Sequence, residues 1–317
     1  ISEEIAYALG MAYVSMLPEG ENRPVIVGRD VRISGPALQD AVIRGITDAG
    51  LDVTDIGMVP TPLSYFSVFQ LHSAGCVQIT ASHNPGEYNG FKMMVGRESL
   101  HGDDIQKLKQ HMKQPLIPAN KAGICRQQDI LDEYQKVVVE DCQLTRPLKV
   151  VIDAGNGPSG IVAAPIYRQM GCEVVELYCE PDGRFPNHHP DPTIEENMQD
   201  LAETVRTHQD DLGIAFDGDG DRLVFYDENK EMILQDYTIA TYIDYFSKEN
   251  KNFVCDLRVS KIITDIAKEN NFKVDLIRVG RAFYKEHMDN NACKFGAELS
   301  GHLFFNDFHN LDNPDIG

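Results

Sequence analysis

Short apolar runs of strand length, each followed by a segment of helical periodicity, recur along this chain of 317 residues. That alternation restricts it to α/β architectures with largely parallel sheets. Pro24 to Gly28 reads as a buried strand, Gly35 to Ala49 as a helix closed by Gly50, and Leu51 to Ile56 as the next strand, which makes one βαβ unit. Thr61-Pro62 then supplies a cap residue and a first-turn proline for a helix to about Leu71. Ahead of all these, a helix at about Glu3 to Leu17 carries Ile5, Leu9, Ala12 and Met16 on one face, with no partner strand before it. The chain is therefore expected to lack its true beginning.

The strand Gly75 to Ile79 ends in Thr80-Ala81-Ser82-His83-Asn84-Pro85. Pro85 fixes its own φ and keeps Asn84 out of helical geometry, so the segment cannot run on into a helix. Ser82 should then stand exposed and fixed at the carboxyl end of a strand, where open α/β sheets bind ligands. The glycine-x-serine-x-glycine form of a hydrolase elbow is missing, which leaves Ser82 as a nucleophile or a phosphate carrier. Gly90 to Val95 reads as a returning strand that brings Lys92 into the same pocket.

Composition excludes whole classes of partner. The net charge of −20 argues against nucleic acid or an anionic membrane surface, both of which need clustered Lys and Arg. An anionic substrate must then meet a local basic patch. No apolar run approaches membrane-spanning length. The seven cysteines form no C-x-x-C pair and read as buried small hydrophobes in a reducing compartment, hence the cytoplasm.

Residues 113 to 126 have the Pro, Gly and polar mix of a linker, and a helix at about Gln127 to Cys142 bridges to the next unit, with a domain boundary near 140. After the strand Lys149 to Ala154, Gly155-Asn156-Gly157-Pro158-Ser159-Gly160 matches the dinucleotide fingerprint, with Glu176 about 20 residues on, so an NAD-binding oxidoreductase is one alternative. Pro158 stiffens that turn, and a long polar loop, Glu180 to Glu196, replaces the next βα step. Within the loop His188-His189 lacks a spaced third ligand and is assigned no chemistry.

Between the strands Leu212 to Phe216 and Leu223 to Tyr226 lies Asp217-Gly218-Asp219-Gly220-Asp221-Arg222. Alternating Asp and Gly lets Asp217, Asp219 and Asp221 converge on one hard cation, Mg²⁺ or Ca²⁺. A calcium-binding module is the second alternative, since Asp217, Asp219, Asp221 and Glu228 fit the calcium-loop spacing; Arg222 stands where that loop needs glycine, and the flanks read as strands. Arg222 would neutralise a phosphoryl group beside Mg²⁺. Farther on, strands near Asn252 and Lys273 and helices near Lys261 and Arg281 precede a last strand, Leu303 to Phe305, that runs into an irregular end.

Four separated stretches together resemble the α-D-phosphohexomutase family, in its bacterial phosphomannomutase/phosphoglucomutase branch. They are Gly28-Arg29-Asp30 through Ser34-Gly35, the Thr80 to Pro85 loop with Asn89-Gly90-Phe91-Lys92, the Asp217 to Arg222 loop, and Glu298-Leu299-Ser300-Gly301-His302. The resemblance implies successive mixed-sheet α/β domains around a central cleft. Three would be represented here, divided at 1–140, 141–250 and 251–317, with a fourth expected beyond Gly317. It implies a phosphoserine at Ser82, Mg²⁺ on Asp217, Asp219, Asp221 and a Ser82 phosphate oxygen, and a sugar loop of Glu298, Ser300 and His302. The implied activity interconverts hexose 1- and 6-phosphates of mannose, glucose or both, with hexose 1,6-bisphosphate as intermediate and activator. Arg258, Gly280 and Arg281 would line the substrate site, and His83, Lys92 and His302 are the candidate proton acceptors. The family often has lysine at the position of Arg258 and histidine at that of Arg281, so a group able to move a proton near neutral pH is lost at the second.

Overall fold

The computed structural model describes residues 1–142, 144–246 and 252–316. The first unit holds α1 (Glu3–Val14), β1 (Val25–Arg29), α2 (Gly35–Asp48), β2 (Val53–Met58), α3 (Thr61–Gln70), β3 (Gly75–Ile79), β4 (Phe91–Val95), β5 (Glu98–Ser99), α4 (Asp103–His111) and β6 (Cys125–Gln127). The second holds α5 (Leu131–Asp141), β7 (Lys149–Asp153), α6 (Gly160–Gln169), β8 (Glu173–Leu177), α7 (Gln199–His208), β9 (Leu212–Phe216), β10 (Leu223–Tyr226) and β11 (Met232–Ile233). The third holds α8 (Gln235–Phe246), β12 (Asn252–Asp256), α9 (Lys261–Glu269), β13 (Lys273–Ile277), α10 (Arg281–Asn291), β14 (Phe295–Ala297), β15 (Leu303–Phe305) and β16 (Leu311–Asp312). The expected boundary between 250 and 251 lies outside the described residues.

Each unit builds one sheet, and the three sheets share a topology. Their orders are β5-β4-β3-β1-β2-β6, β11-β10-β9-β7-β8 and β16-β15-β14-β12-β13. In each, three parallel strands are followed by an antiparallel return on the flank of the third (β3 to β4, β9 to β10, β14 to β15). The connection between third strand and return is therefore the same place in all three. It carries Ser82 in the first unit, the 217–222 stretch in the second and the 298–302 stretch in the third. Burial on both faces explains the nearly unbroken apolar runs of the parallel strands: Val25, Ile26, Val27, Val150, Val151, Ile152, Phe253, Val254 and Cys255 are all sealed from solvent.

Several local expectations need correcting. On α1 the buried face is Ala6, Leu9, Ala12 and Tyr13, whereas Ile5 is exposed, because α1 turns the first set toward α2. Thr61 is the first helical residue of α3 rather than its cap, which is Pro60. The last part of the 113–126 linker joins the first sheet as β6, parallel to β2, and the following helix starts only at Leu131. The end of the chain is not wholly irregular, since β16 pairs with β15. Five cysteines are buried as expected, but Cys125 on the edge strand β6 is exposed and Cys142 is half-buried; all seven are free thiols. No helix among the described residues is long and apolar enough to cross a membrane.

The first and third units also touch directly. Phe69 stacks on His309 at 3.8 Å, Phe66 on Phe308 at 5.8 Å, and Lys285 reaches Glu98 at 3.2 Å. Tyr134 on α5 donates to Asp315 at 2.6 Å from the other side. These contacts tie the third unit to both the first and the second.

Candidate active site

Ser82 adopts a φ of 53°, in the left-handed region, which costs an L-residue about 1–2 kcal/mol. A buried lattice of hydrogen bonds holds it there. Its N–H donates to Thr80 Oγ1 at 2.9 Å, the Thr80 hydroxyl donates to Asp30 Oδ2 at 2.8 Å, and Asp30 accepts from Arg32 Nε at 3.0 Å. Arg32 is fully buried. Its two terminal nitrogens donate to the carbonyls of Ser82 at 2.7 Å, Asn84 at 2.6 Å, Pro85 at 2.5 Å and Tyr88 at 3.0 Å. All five N–H groups of the guanidinium thus find acceptors. Burial pushes the Asp30 carboxyl up to about 6 even against the attraction of Arg32.

The expectation of an exposed serine is corrected: Ser82 is half-buried, because the second unit covers it. The Ser82 hydroxyl donates to Asp217 Oδ2 at 3.0 Å and lies 3.2 Å from His83 Nδ1. The Asp–Gly alternation makes this approach possible. A side chain at Gly218 would begin 2.5 Å from the Ser82 carbonyl oxygen, and Gly220, at φ 74°, has Ser159 Oγ only 2.1 Å from where its Cβ would be.

Asp217, Asp219 and Asp221 are buried, and one carboxylate oxygen from each falls within 4.8 Å of the others. Thr61 at the start of α3 donates its hydroxyl to Asp219 Oδ2 at 2.5 Å and its N–H to the Asp219 carbonyl at 2.9 Å. Lys92 Nζ sits 2.6 Å from the same Asp219 oxygen and also donates to Asp221 Oδ2. Arg222 Nε is 3.8 Å from Asp217 Oδ2. Burial and then the neighbouring Asp221 and Asp219 push the Asp217 carboxyl well above the usual range. Burial acts the same way on Asp221, but Lys92 and His302 outweigh it and hold that group far below its ordinary value. Among the described residues, Asp219 Oδ1 has no hydrogen-bond partner, and Asp221 Oδ1 meets only a long contact from His302. A cluster of oxygen donors with crowded, partly orphaned charge fits a hard divalent cation.

In the third unit Glu298 is the hub. Its Oε1 accepts from the Gly280 N–H at 2.8 Å, and its Oε2 accepts from Ser300 Oγ at 2.8 Å and from His302 Nδ1 at 3.1 Å. His302 Nε2 reaches back to Asp221 Oδ1 at 3.4 Å, which joins the third unit to the aspartates. Burial disfavours the His302 charge, but Asp221 and Glu298 push its pKa up to about 10. Lys92, too, has its pKa raised: Asp219, Asp221 and Asp217 overcome the burial that would lower it. Of the three candidate proton acceptors, two therefore hold their protons firmly. His83 differs, since burial and then Arg222 push its pKa below the ordinary histidine value.

Two residues expected to line the substrate site also have partners within the protein. Arg258 grips buried Asp256 with Nε at 3.0 and 2.9 Å from its two oxygens and is otherwise largely exposed. Arg281 is drawn into the contact between first and third units, stacked on the Tyr65 ring at 3.9 Å and 3.9 Å from Asp312 Oδ1. The dinucleotide alternative fails sterically, because His188 and Pro190 pack over Gly155, and the carbonyl oxygens of Gly218 and Asp217 stand 3.2 and 3.4 Å from where a side chain at Gly157 would begin, on the turn that a pyrophosphate would have to approach. The calcium-module alternative loses its flanking helices, which are the strands β9 and β10. A hollow of about 590 Å³ between α6 and α8 is lined by Tyr167, Tyr242, Phe246 and Phe305 and lies away from Ser82. Sequence reasoning missed Arg32, Thr61 and Asp191, whose Oδ2 stands 4.0 Å from His83 Nε2. Arg32 stands in the Gly28 to Gly35 stretch and Asp191 in the Pro181 to Pro192 stretch, which also resembles the family, but nothing in either told of the burial of Arg32 or of the nearness of Asp191 to His83.

Comparison with known proteins agrees over the whole chain. Residues 1–116, 131–230 and 235–313 match phosphoglucomutase/phosphomannomutase alpha/beta/alpha domains I, II and III, respectively. A phosphoglucomutase of Neisseria meningitidis is 37% identical over 308 residues, covering 96% of this chain and 67% of that protein. A phosphomannomutase/phosphoglucomutase of Pseudomonas aeruginosa is 37% identical over 308 residues, covering 96% and 66%. The crystal structure of a phosphoglucomutase/phosphomannomutase family protein from Burkholderia thailandensis superposes with a TM-score of 0.93 at 34% identity, covering 100% of this chain and 71% of that one. The chain thus spans about two thirds of the length of the curated relatives it matches.

Proposed function

The chain belongs to the phosphoglucomutase/phosphomannomutase family, and from that premise we propose that it interconverts hexose 1-phosphate and hexose 6-phosphate through a phosphorylated Ser82. The observation that carries this reading is the contact of the Ser82 hydroxyl with Asp217 Oδ2 at 3.0 Å, which sets a serine of one unit against the carboxylate cluster of the next.

Phosphoryl transfer asks a protein chiefly for alignment and neutralisation of charge. Mg²⁺ would be held by Asp217, Asp219, Asp221 and an oxygen of the Ser82 phosphate, and when bound it would neutralise charge on the transferring group. Lys92 and Arg222 add positive charge from two further directions. As the Oγ–P bond of Ser82 breaks, phosphorus passes to a sugar hydroxyl oxygen, which gives up its proton while Oγ takes one up, giving a hexose 1,6-bisphosphate; the bisphosphate turns over in the cleft and returns its other phosphoryl group to Oγ with the reverse proton movement. His83, neutral and 3.2 Å from Oγ, moves the proton at that atom. Glu298, Ser300 and His302 hold the sugar hydroxyls in both orientations. With seven free thiols and no basic face implied by a charge of −20, we place the protein in the cytoplasm with a phosphosugar as its partner.

The test is a single turnover. Protein stripped of phosphate, mixed with Mg²⁺ and glucose or mannose 1,6-bisphosphate, should gain one phosphoryl group on Ser82, read by intact mass and peptide mapping, and release hexose monophosphate. No phosphoryl group on Ser82 and no monophosphate from either sugar would overturn the proposal. The cation makes a separate prediction. Asp219→Asn removes a unit of charge from a three-carboxylate cage while keeping an acceptor for Thr61, so the half-saturating Mg²⁺ concentration should rise on the order of 10- to 100-fold with the fold intact. An unchanged Mg²⁺ titration would remove Asp219 from the cage.

A further inference from the structure

Between β8 and α7 the chain runs without helix or strand from 178 to 194, and residues 181–192 form a strap across the boundary of the first two units. One of its side chains is fixed at both ends. His188 Nε2 lies 3.1 Å from each oxygen of Asp153, at the end of β7, and its Nδ1 lies 2.9 Å from the His189 carbonyl oxygen. Both partners only accept, so both ring nitrogens must donate and the ring is an imidazolium. The pair is nearly dry, with the His188 and Asp153 side chains 9% and 1% exposed.

From this anchor the strap touches each half of the proposed chemistry. The Pro190 carbonyl accepts from the Gly218 N–H at 3.1 Å, in the middle of the aspartate connection. Asp191 faces His83, and Phe185 lies under the Arg32 guanidinium at 5.3 Å. Groups that orient metal ligands from behind commonly change metal affinity 10- to 100-fold when removed.

We propose that His188 is a positioning residue of the cation site: its charged ring pins the strap to β7, and the pinned strap fixes where the Asp217–Asp221 connection stands against Ser82. The inference rests on the reading of that connection as a cation site. The titratable groups facing the ring are Asp153 from β7 and, from the α7 side, Asp200, to which Tyr178 donates while its own ring stacks edge-on against His188 at 5.4 Å. Burial opposes the ring's charge, but the Asp153 pair prevails and raises its pKa above the ordinary value. The lock is therefore complete below about pH 6.5 and is lost as pH rises through the elevated value. Carboxylate ligands alone would bind a cation no worse as pH rises, so the two effects have opposite signs.

The experiment measures Mn²⁺, standing in for Mg²⁺, by electron paramagnetic resonance of the free ion across a pH series. His188→Gln should weaken Mn²⁺ binding about tenfold at pH 7. Wild-type affinity should fall toward alkaline pH, and that fall should vanish in the variant. Wild-type protein that binds no Mn²⁺ sinks the cation reading itself. Wild-type binding matched by His188→Gln at every pH sinks only the role of His188, as does a variant that loses thermal stability but keeps wild-type affinity. If the variant does not fold, nitrogen NMR of the wild-type ring decides: two protonated nitrogens at pH 7, lost in step with Mn²⁺ affinity, support the proposal, and a neutral ring overturns it.

Discussion

Ser82→Ala is expected to lower kcat by on the order of 10⁴- to 10⁶-fold, the range seen when an enzyme loses the atom that forms its covalent intermediate. Almost everything that holds the serine in place acts on its backbone: the N–H bound to Thr80 and the carbonyl bound to Arg32 both survive. The substitution removes only the hydroxyl and its contacts with Asp217 and His83. Alanine also carries the same left-handed penalty as serine, so thermal unfolding should move little. The check is kcat beside a melting curve and a phosphopeptide map of the same preparation. Turnover within a few fold of wild type would remove Ser82 from the chemistry.

The second large effect belongs to a fully buried residue behind the serine connection. Arg32→Met leaves Asp30 buried without its counter-charge and strands four carbonyls of the serine connection. Breaking a buried ion pair from one side costs about 3–5 kcal/mol, which should appear as a lower urea midpoint for the first unit. Arg32→Lys separates stability from alignment. Its ammonium can stay with Asp30, but three donors on a point charge cannot span the carbonyls of Ser82, Asn84, Pro85 and Tyr88. The lysine variant should keep most of the stability and still lose about 100-fold in kcat, the effect of a small displacement of a reacting atom. A lysine variant with wild-type kcat would show that the guanidinium supports the fold and nothing more.

How far the chain could be read varies with the kind of interaction. Strands buried on both faces announce themselves as unbroken apolar runs, and Gly75–Ile79, Leu212–Phe216 and Leu223–Tyr226 lie where the sequence places them. Ser82 and the three aspartates were legible because unusual residues crowd into short connections. The role of Arg32 was not, since a guanidinium serving Asp30 and four carbonyls of another segment leaves no local mark of that service. Thr61 was misread for a related reason: its hydroxyl looks like a helix cap, yet it serves Asp219, which is 158 residues away. The roles of Lys92 and His302 needed distances, because only proximity to Asp219, Asp221 and Glu298 explains why both hold their protons. His188 was assigned no chemistry because the test applied to it was a search for metal ligands, and its partner is an aspartate 35 residues away.

The shared strand order of the three sheets bears on how such a site could be rebuilt. Ser82, the three aspartates and the Glu298 to His302 stretch occupy one and the same junction of a thrice-used scaffold. Location thus comes from topology, while chemical identity resides in the side chains of each junction. A designer could treat the junctions as interchangeable sockets, transplanting a short peptide from one unit to another and finding it delivered to the corresponding rim of its new host. Specialisation among once-equivalent units would need changes only there, with the frameworks beneath left free to drift until no likeness remained in their residues.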